Sequence, residues 1–288
     1  MRKTVLIFLL LAYSIVSHAA LDRISLKQGI QSGLLKVSAN ANGNGYHNKS
    51  LHMAITNTGT KAIQVQIDPA LIFRPDDTSY QDFVLAGTDL IVLRAKATVE
   101  LESQVFCGKS YASAPSRNLN FTFLKAGDDI MVKVMGFINQ YKLYDGLGQD
   151  AIWALTNRRE LHGVWDGNRP EISKKLIDYM ASVTGWAVPD YYKEYALNPR
   201  GNGPVAAPKA LKMLANFDWK LTEPKTLTLG IYDKDGKMLQ PVVENQEFGK
   251  GGHRVRVEFE AEDVPAGMYY IRLMDNVTVM KELAVEVD

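Results

Sequence analysis

The chain has 288 residues, with 33 Lys and Arg against 32 Asp and Glu, 46% hydrophobic residues, five His and one Cys. That length suits about two domains, and the composition is that of a folded protein, neither low in complexity nor charged enough to stay disordered. A net charge near zero removes the electrostatic basis for nucleic-acid binding, and a single cysteine excludes an intramolecular disulfide framework or a multi-cysteine zinc site.

Met1-Arg2-Lys3 is a short basic start, Val5 to Val16 is almost wholly apolar, and Ser17-His18-Ala19 offers small residues at the positions that signal peptidase reads. This predicts a secretory signal peptide over residues 1–19, cleaved after Ala19. The apolar run is shorter than the ~20 residues a bilayer span needs. No cysteine stands directly after it (the only one is Cys107), which excludes a bacterial lipid anchor, and no second long apolar stretch occurs. Export to the periplasm, the cell surface or the medium is expected, with no membrane span after cleavage. Arg2 and Lys3 would leave with the leader, so the mature chain would carry one more acid than base.

From residue 51 the apolar residues alternate. Leu51, Met53 and Ile55, the turn residues Asn57-Thr58-Gly59, and Ile63, Val65 and Ile67 predict a hairpin with one buried face. Further strands are expected at 70–73, 83–85, 90–93, 98–106 and 121–124, spaced as in a β-sandwich. The period then becomes helical over 130–141, with a second helix over 149–156 carrying Ile152, Trp153 and Leu155. Asp128 and Asp129 suit the positive N-terminal end of the first of these. Asn168-Arg169-Pro170-Glu171 opens a third helix, with Asn168 as the expected cap, burying Ile172, Leu176, Tyr179 and Met180 and ending near Gly185. A short helix is also expected over 190–196. Residues 198–209, rich in Pro and Gly, read as a linker between domains at 20–197 and 210–288. After it come about seven short alternating strands, each ended by turn chemistry such as Asp233-Lys234-Asp235-Gly236 or Pro265-Ala266-Gly267.

Two stretches, Leu-Gly-Ile-Tyr-Asp-Lys-Asp-Gly-Lys at 229–237 and Val-Pro-Ala-Gly-Met-Tyr-Tyr-Ile-Arg-Leu at 264–273, resemble the Ig-like C-terminal modules that include type IX secretion sorting domains and the flagellar hook-cap Ig-like domain. The resemblance implies an immunoglobulin-like sandwich and export by a Gram-negative bacterium of the Bacteroidetes type. Sorting tails of that family usually finish with basic residues, whereas this sequence finishes Glu282-Leu283-Ala284-Val285-Glu286-Val287-Asp288. Sorting and a plain accessory role both stay open.

The segment Gly148-Gln149-Asp150-Ala151-Ile152-Trp153 resembles the Gln-x-Ala-Ile-Trp motif of thioester adhesin domains, with Gly148 where that family has Thr. The resemblance implies that the Gln149 side-chain carbonyl is bonded to the thiol of the only cysteine, Cys107. Against this stands the common finding that cysteine is a buried, inert residue and that a Trp-bearing helix packs on a sheet by itself.

Other candidates carry less. His47 and His52 would face opposite ways on a strand and do not form a metal pair, and His253 is expected in an exposed hairpin connection. His162 with Asp166 and Glu171 is the trio a hydrolase would use, without a Gly-x-Ser-x-Gly nucleophile turn. Asp233-Lys234-Asp235-Gly236 opens like a calcium loop but lacks its downstream ligands and reads as a turn, and Asp76-Asp77 is an acidic turn. The sequons at Asn48, Asn120 and Asn276 carry little in a bacterium, and no Gly-rich phosphate loop precedes a helix.

The sequence therefore predicts a mainly β protein: an α+β first domain, built as a β-sandwich with appended helices, and a C-terminal immunoglobulin-like β-sandwich. The expected function is that of an exported, non-enzymatic binding or adhesion protein of the bacterial cell envelope. It would need no cofactor or metal, recognise a protein or glycan, and use the C-terminal module for secretion or attachment. A secreted hydrolase and a covalent thioester adhesin through Cys107 and Gln149 are the competing readings.

Overall fold

The computed structural model describes residues 21–44, 49–195 and 209–288. The expected leader at 1–19, His47, Asn48 and the linker up to residue 208 lie outside the described residues.

The first part begins with β1 (Asp22–Ser25) and α1 (Leu26–Gln31), where Ser25 and Gln28 form a reciprocal capping box. There follow β2 (Leu35–Ala41), β3 (Leu51–Asn57), β4 (Ile63–Gln66), β5 (Leu71–Pro75), β6 (Phe83–Leu85), β7 (Leu90–Leu93), β8 (Thr98–Ser103), β9 (Val105–Cys107) and β10 (Asn120–Ala126). They make a seven-stranded sheet, β8-β3-β2-β10-β5-β6-β9, facing a three-stranded sheet, β1-β4-β7.

The expected 51–67 hairpin does not form. β3 pairs with β2 and β8, while β4 pairs with β1 and β7 in the opposite sheet. The cause is Asn57, which is fully buried and donates from its side-chain amide to the carbonyls of Lys61, Leu93 and Arg94. Those bonds satisfy the backbone of a chain crossing between the layers, so the alternating residues of the two strands meet across the core instead of side by side. The run expected over 98–106 is split at Gln104: β8 and β9 lie at opposite edges of the large sheet and are joined by that one residue. The sheet therefore curls until its two edges nearly meet.

β5, β6 and β9 are buried on both faces, as their unbroken apolar runs require. Leu71, Phe73, Phe83, Leu85, Val105 and Cys107 point between the two sheets, whereas Ile72, Val84 and Phe106 point at a helical layer. That layer consists of α2 (Asp129–Tyr141), α3 (Gly146–Asn157), a 3-10 turn (Leu161–Gly163) and α4 (Pro170–Thr184). Asp128 caps α2 by accepting from the Met131 N–H at 2.8 Å, and Asp145 caps α3. The cap expected at Asn168 is corrected: α4 starts at Pro170, so the cap position falls on Arg169, whose side chain carries no acceptor for the first-turn N–H groups. Gly185, at φ 75°, ends it.

The C-terminal part is a two-sheet β-sandwich. Its strands are β11 (Tyr191–Tyr195), β12 (Ala210–Leu221), β13 (Lys225–Tyr232), β14 (Met238–Phe248), β15 (Gly251–Glu260), β16 (Gly267–Asp275) and β17 (Thr278–Val287), arranged as β11-β12-β15 against β14-β13-β16-β17. The span 210–288 thus supplies six strands rather than seven, and the seventh comes from upstream. The helix expected over 190–196 is that strand. So short a segment does not nucleate a helix in isolation, and in a strand Tyr191 and Tyr195 share one face while Tyr192 takes the other, so that both faces bury an aromatic. Tyr191 and Tyr195 pack on the sandwich core, while Tyr192 stacks on Trp165 of the first part at 4.1 Å between ring centres. β11 is therefore shared between the helical layer and the C-terminal sandwich.

Candidate functional site

One edge of the large sheet is β9. Its inner side pairs with β6, Phe83 opposite Cys107. Its outer side would leave backbone N–H and C=O groups unpaired, which buried backbone rarely tolerates. α3 runs along that edge and supplies the missing partners from side-chain amides. The Cys107 N–H donates to Gln149 Oε1 at 2.9 Å, and Gln149 Nε2 donates to the Cys107 carbonyl at 2.9 Å. Asn157 repeats the pattern further along, accepting from the Ser110 N–H at 3.2 Å and donating to the Gly108 carbonyl at 3.4 Å. Between them Trp153 enters the same core cluster as Cys107. Gln149, Trp153 and Asn157, spaced by four, form one stripe of α3 that docks on β9.

Gly148 allows the helix to come so close. A Cβ there would lie 1.9 Å from the Leu143 carbonyl oxygen and 3.1 Å from the Phe106 ring. The Thr that thioester domains carry at this position has no room here. Cys107 is fully buried and Gln149 is buried, and burial pushes the Cys107 thiol well above its ordinary pKa. The two residues singled out from the sequence thus meet through the Cys107 main chain and the Gln149 side-chain amide.

A second feature lies at the junction of the helical layer with the C-terminal sandwich. A cleft of about 360 Å³ opens there, within the range of small-ligand sites. One wall carries Asp150, Arg158, Arg159, Glu160 and His162 from α3 and the segment after it; the other carries Lys193 and Tyr195 of β11 with Glu286 and Asp288 of β17 and beyond. Lys193, only 1% exposed, pairs with Asp288 at 2.7 Å, and the Tyr195 hydroxyl donates to the same carboxylate at 2.9 Å. Burial raises the pKa of Asp288, but these two donors outweigh it and hold the group below its usual value. Burial and the Asp288 charge push the Tyr195 phenol upward.

His162 Nδ1 lies 2.8 Å from the Glu160 carboxylate, and its ring stacks on Tyr191 at 5.2 Å. Burial, helped by the Lys193 charge, lowers its pKa and keeps the ring neutral. With Nδ1–H donated to Glu160, the lone pair resides on Nε2. Asp150 is the opposite case. Desolvation, against the pull of Arg159, raises its carboxyl from 3.8 to about 7.

The sequence trio of His162, Asp166 and Glu171 is not assembled. Asp166 is engaged by Arg169 at 2.7 Å, and Glu171 is exposed in the first turn of α4. His253 is not in a connection but in β15, half-buried and stacked on Trp219 at 5.4 Å between ring centres. Asp233 accepts from the N–H groups of Asp235 and Lys237, making the β13–β14 turn. The cleft itself escaped sequence reasoning. Its only local signal is the charged run Arg158-Arg159-Glu160 directly after a helix.

Fold and site together define a mainly β protein of two parts joined through a shared strand, with a buried Cys–Gln contact in one part and a cleft rich in charged side chains between them. No protein-family model matches the chain, and no curated protein matches it. Among solved structures, a β-glucosidase from Kluyveromyces marxianus aligns with 83% of this chain and 44% of its own, at 11% identity and a TM-score of 0.20. The chain spans less than half of that enzyme, and a likeness at that score carries no weight for fold or activity.

Proposed function

We propose that this protein is an exported binding or adhesion protein of the bacterial cell envelope that attaches to its target covalently, through a thioester between Cys107 and Gln149. The observation that carries this reading is that the Gln149 side-chain amide, 42 residues away in sequence, is bonded to the main chain of the only cysteine. The Cys107 N–H polarises the Gln149 carbonyl in the way an oxyanion-hole donor does. Attack of Cys107 Sγ on Gln149 Cδ forms the S–C bond and breaks the C–N bond, and the thiol proton leaves with the amide nitrogen as ammonia. A target amine then attacks Cδ, giving an amide and returning the thiol. Burial shields the bond from water, so reaction with a target requires α3 to lift locally from β9. Intact mass tests this: a thioester lacks one ammonia relative to the sequence and takes up methylamine, whereas a sequence-true mass with one titratable thiol removes the reading.

The C-terminal sandwich supports an Ig-like module. In order along the chain, its first, second and fifth strands form one sheet and the other four the second. Near the start of β16 the Tyr269 hydroxyl donates to the Pro265 carbonyl at 2.8 Å, the tyrosine corner found where such sandwiches turn between sheets. Its role would be export or attachment. Fractionation of cells making the full chain tests it: surface or medium location supports the role, and retention in the cytoplasm contradicts it.

A hydrolase is the second reading, favoured by the cleft. There a neutral imidazole with a free Nε2 and a carboxyl protonated near neutral pH supply a base and an acid. Release of 4-nitrophenol from 4-nitrophenyl glycosides, abolished by both His162→Ala and Asp150→Asn, would support it; no turnover, or turnover unchanged in both variants, would contradict it.

A further inference from the structure

About half of the ionisable groups lining the cleft are matched within the protein. Lys193 is taken by Asp288 at 2.7 Å, and Glu160 is bonded to His162 at 2.8 Å. Arg158, Arg159, Asp150 and Glu286 form no ion pair among the described residues, although Arg159 and Asp150 attract each other at longer range. Arg158 is set at the cleft by the left-handed conformation that ends α3, φ 54°, and has no carboxylate partner among the described residues. Arg159 has its guanidinium carbon 5.1 Å from the Trp153 ring centre, a stacking contact that leaves its N–H fork free of carboxylates. Asp150, two turns earlier on the same wall, has no hydrogen-bond partner among the described residues.

We propose that this cleft binds an acidic saccharide, whose carboxylate is held by Arg158, Arg159 and the Asp150 carboxyl. Arginine forks accept a carboxylate in bidentate fashion, and a protonated carboxyl adds an O–H donor beside them. The Asp150 environment favours that protonated form around neutral pH. A saccharide, which presents both hydroxyl groups and C–H faces, fits the rest of the lining, which is mixed: Glu286 and Glu160 accept from hydroxyl groups, and Gly163, Val164 and the Tyr195 ring add apolar surface. This site is separate from the Cys107–Gln149 contact and does not depend on the thioester.

The test is calorimetric titration of the full chain at pH 6 with tetragalacturonate, with neutral maltotetraose and with inorganic phosphate. Saturable binding of tetragalacturonate is expected, at least about tenfold tighter than either control, since a charge-assisted hydrogen bond is worth about that factor. Arg158→Ala and Arg159→Gln should each weaken it about tenfold. Asp150→Asn, which keeps a donor, should retain affinity while Asp150→Ala loses it, and Arg254→Ala, on β15 and outside the cleft lining, should change nothing. No binding of tetragalacturonate overturns the proposal. Equal binding of maltotetraose overturns the acidic class, equal binding of phosphate reduces the site to a simple anion site, and binding indifferent to both arginine variants places it elsewhere. A failed thioester mass test would leave each of these outcomes readable.

Discussion

The structural role of Gln149 can be measured apart from the proposed thioester. Its amide satisfies both main-chain groups of Cys107, so Gln149→Ala should strand two buried backbone groups and lower stability by about 1–3 kcal/mol, read from urea unfolding. A loss within error would mean that the edge of β9 finds other partners. Asp150 and His162 give opposite pH signatures. Asp150 binds its proton more tightly in the fold, so its contribution falls as pH rises from about 4 to about 7 and stays low above that. Asp150→Asn should therefore stabilise the protein at pH 8 by about 2 kcal/mol, discounted because the side chain opens on the cleft, and not at pH 4. An equal gain at both values would contradict the assignment. His162 is kept neutral, so its contribution is full above the ordinary histidine value near 6.5 and is lost as pH falls below it.

At the level of elements, the periodicity of the chain was a good guide wherever local pattern decides structure. α2, α3, the core strands β5 and β6 and the edge strand β7 lie close to where their apolar spacing puts them. It failed where a distant partner decides. Asn57 reads as a turn residue beside Gly59, and nothing local shows that its amide bridges to Leu93 and Arg94. β11 reads as a short helix because its partner β12 lies beyond the linker. β1, α1 and β2 went unread in a polar stretch, since a capping box is weak without an apolar run behind it. The docking of α3 on β9 rests on a glycine that looked incidental. Gly148→Ala should be severely destabilising, by more than about 3 kcal/mol, because the Cβ meets rigid backbone. A thermal midpoint close to that of the parent would show that α3 sits further from the sheet.

For the molecule as a whole, the candidate sites divide by how they could be read. Cys107 and Gln149 were legible, because a motif and a solitary cysteine name them without any knowledge of the fold. The cleft was not, because its walls come from α3, β11 and β17, and only the paired sheets bring them together. Lys193 makes the point. In sequence it is one lysine among tyrosines, yet it is 1% exposed and tied to Asp288, 95 residues away, across the junction. Asp288→Asn should leave a buried cation unpaired and cost about 3–5 kcal/mol, whereas Lys193→Met with Asp288→Asn should recover most of that loss. No recovery in the double variant would show that the lysine contributes through packing alone. Covalent attachment is tested most directly by the intact mass of the native exported protein, taken before and after methylamine. A mass one ammonia below that of the chain without its leader, rising by one methylamine and releasing the Cys107 thiol, is the expected result. A sequence-true mass, unchanged by methylamine and with the thiol titrating on unfolding, would contradict it.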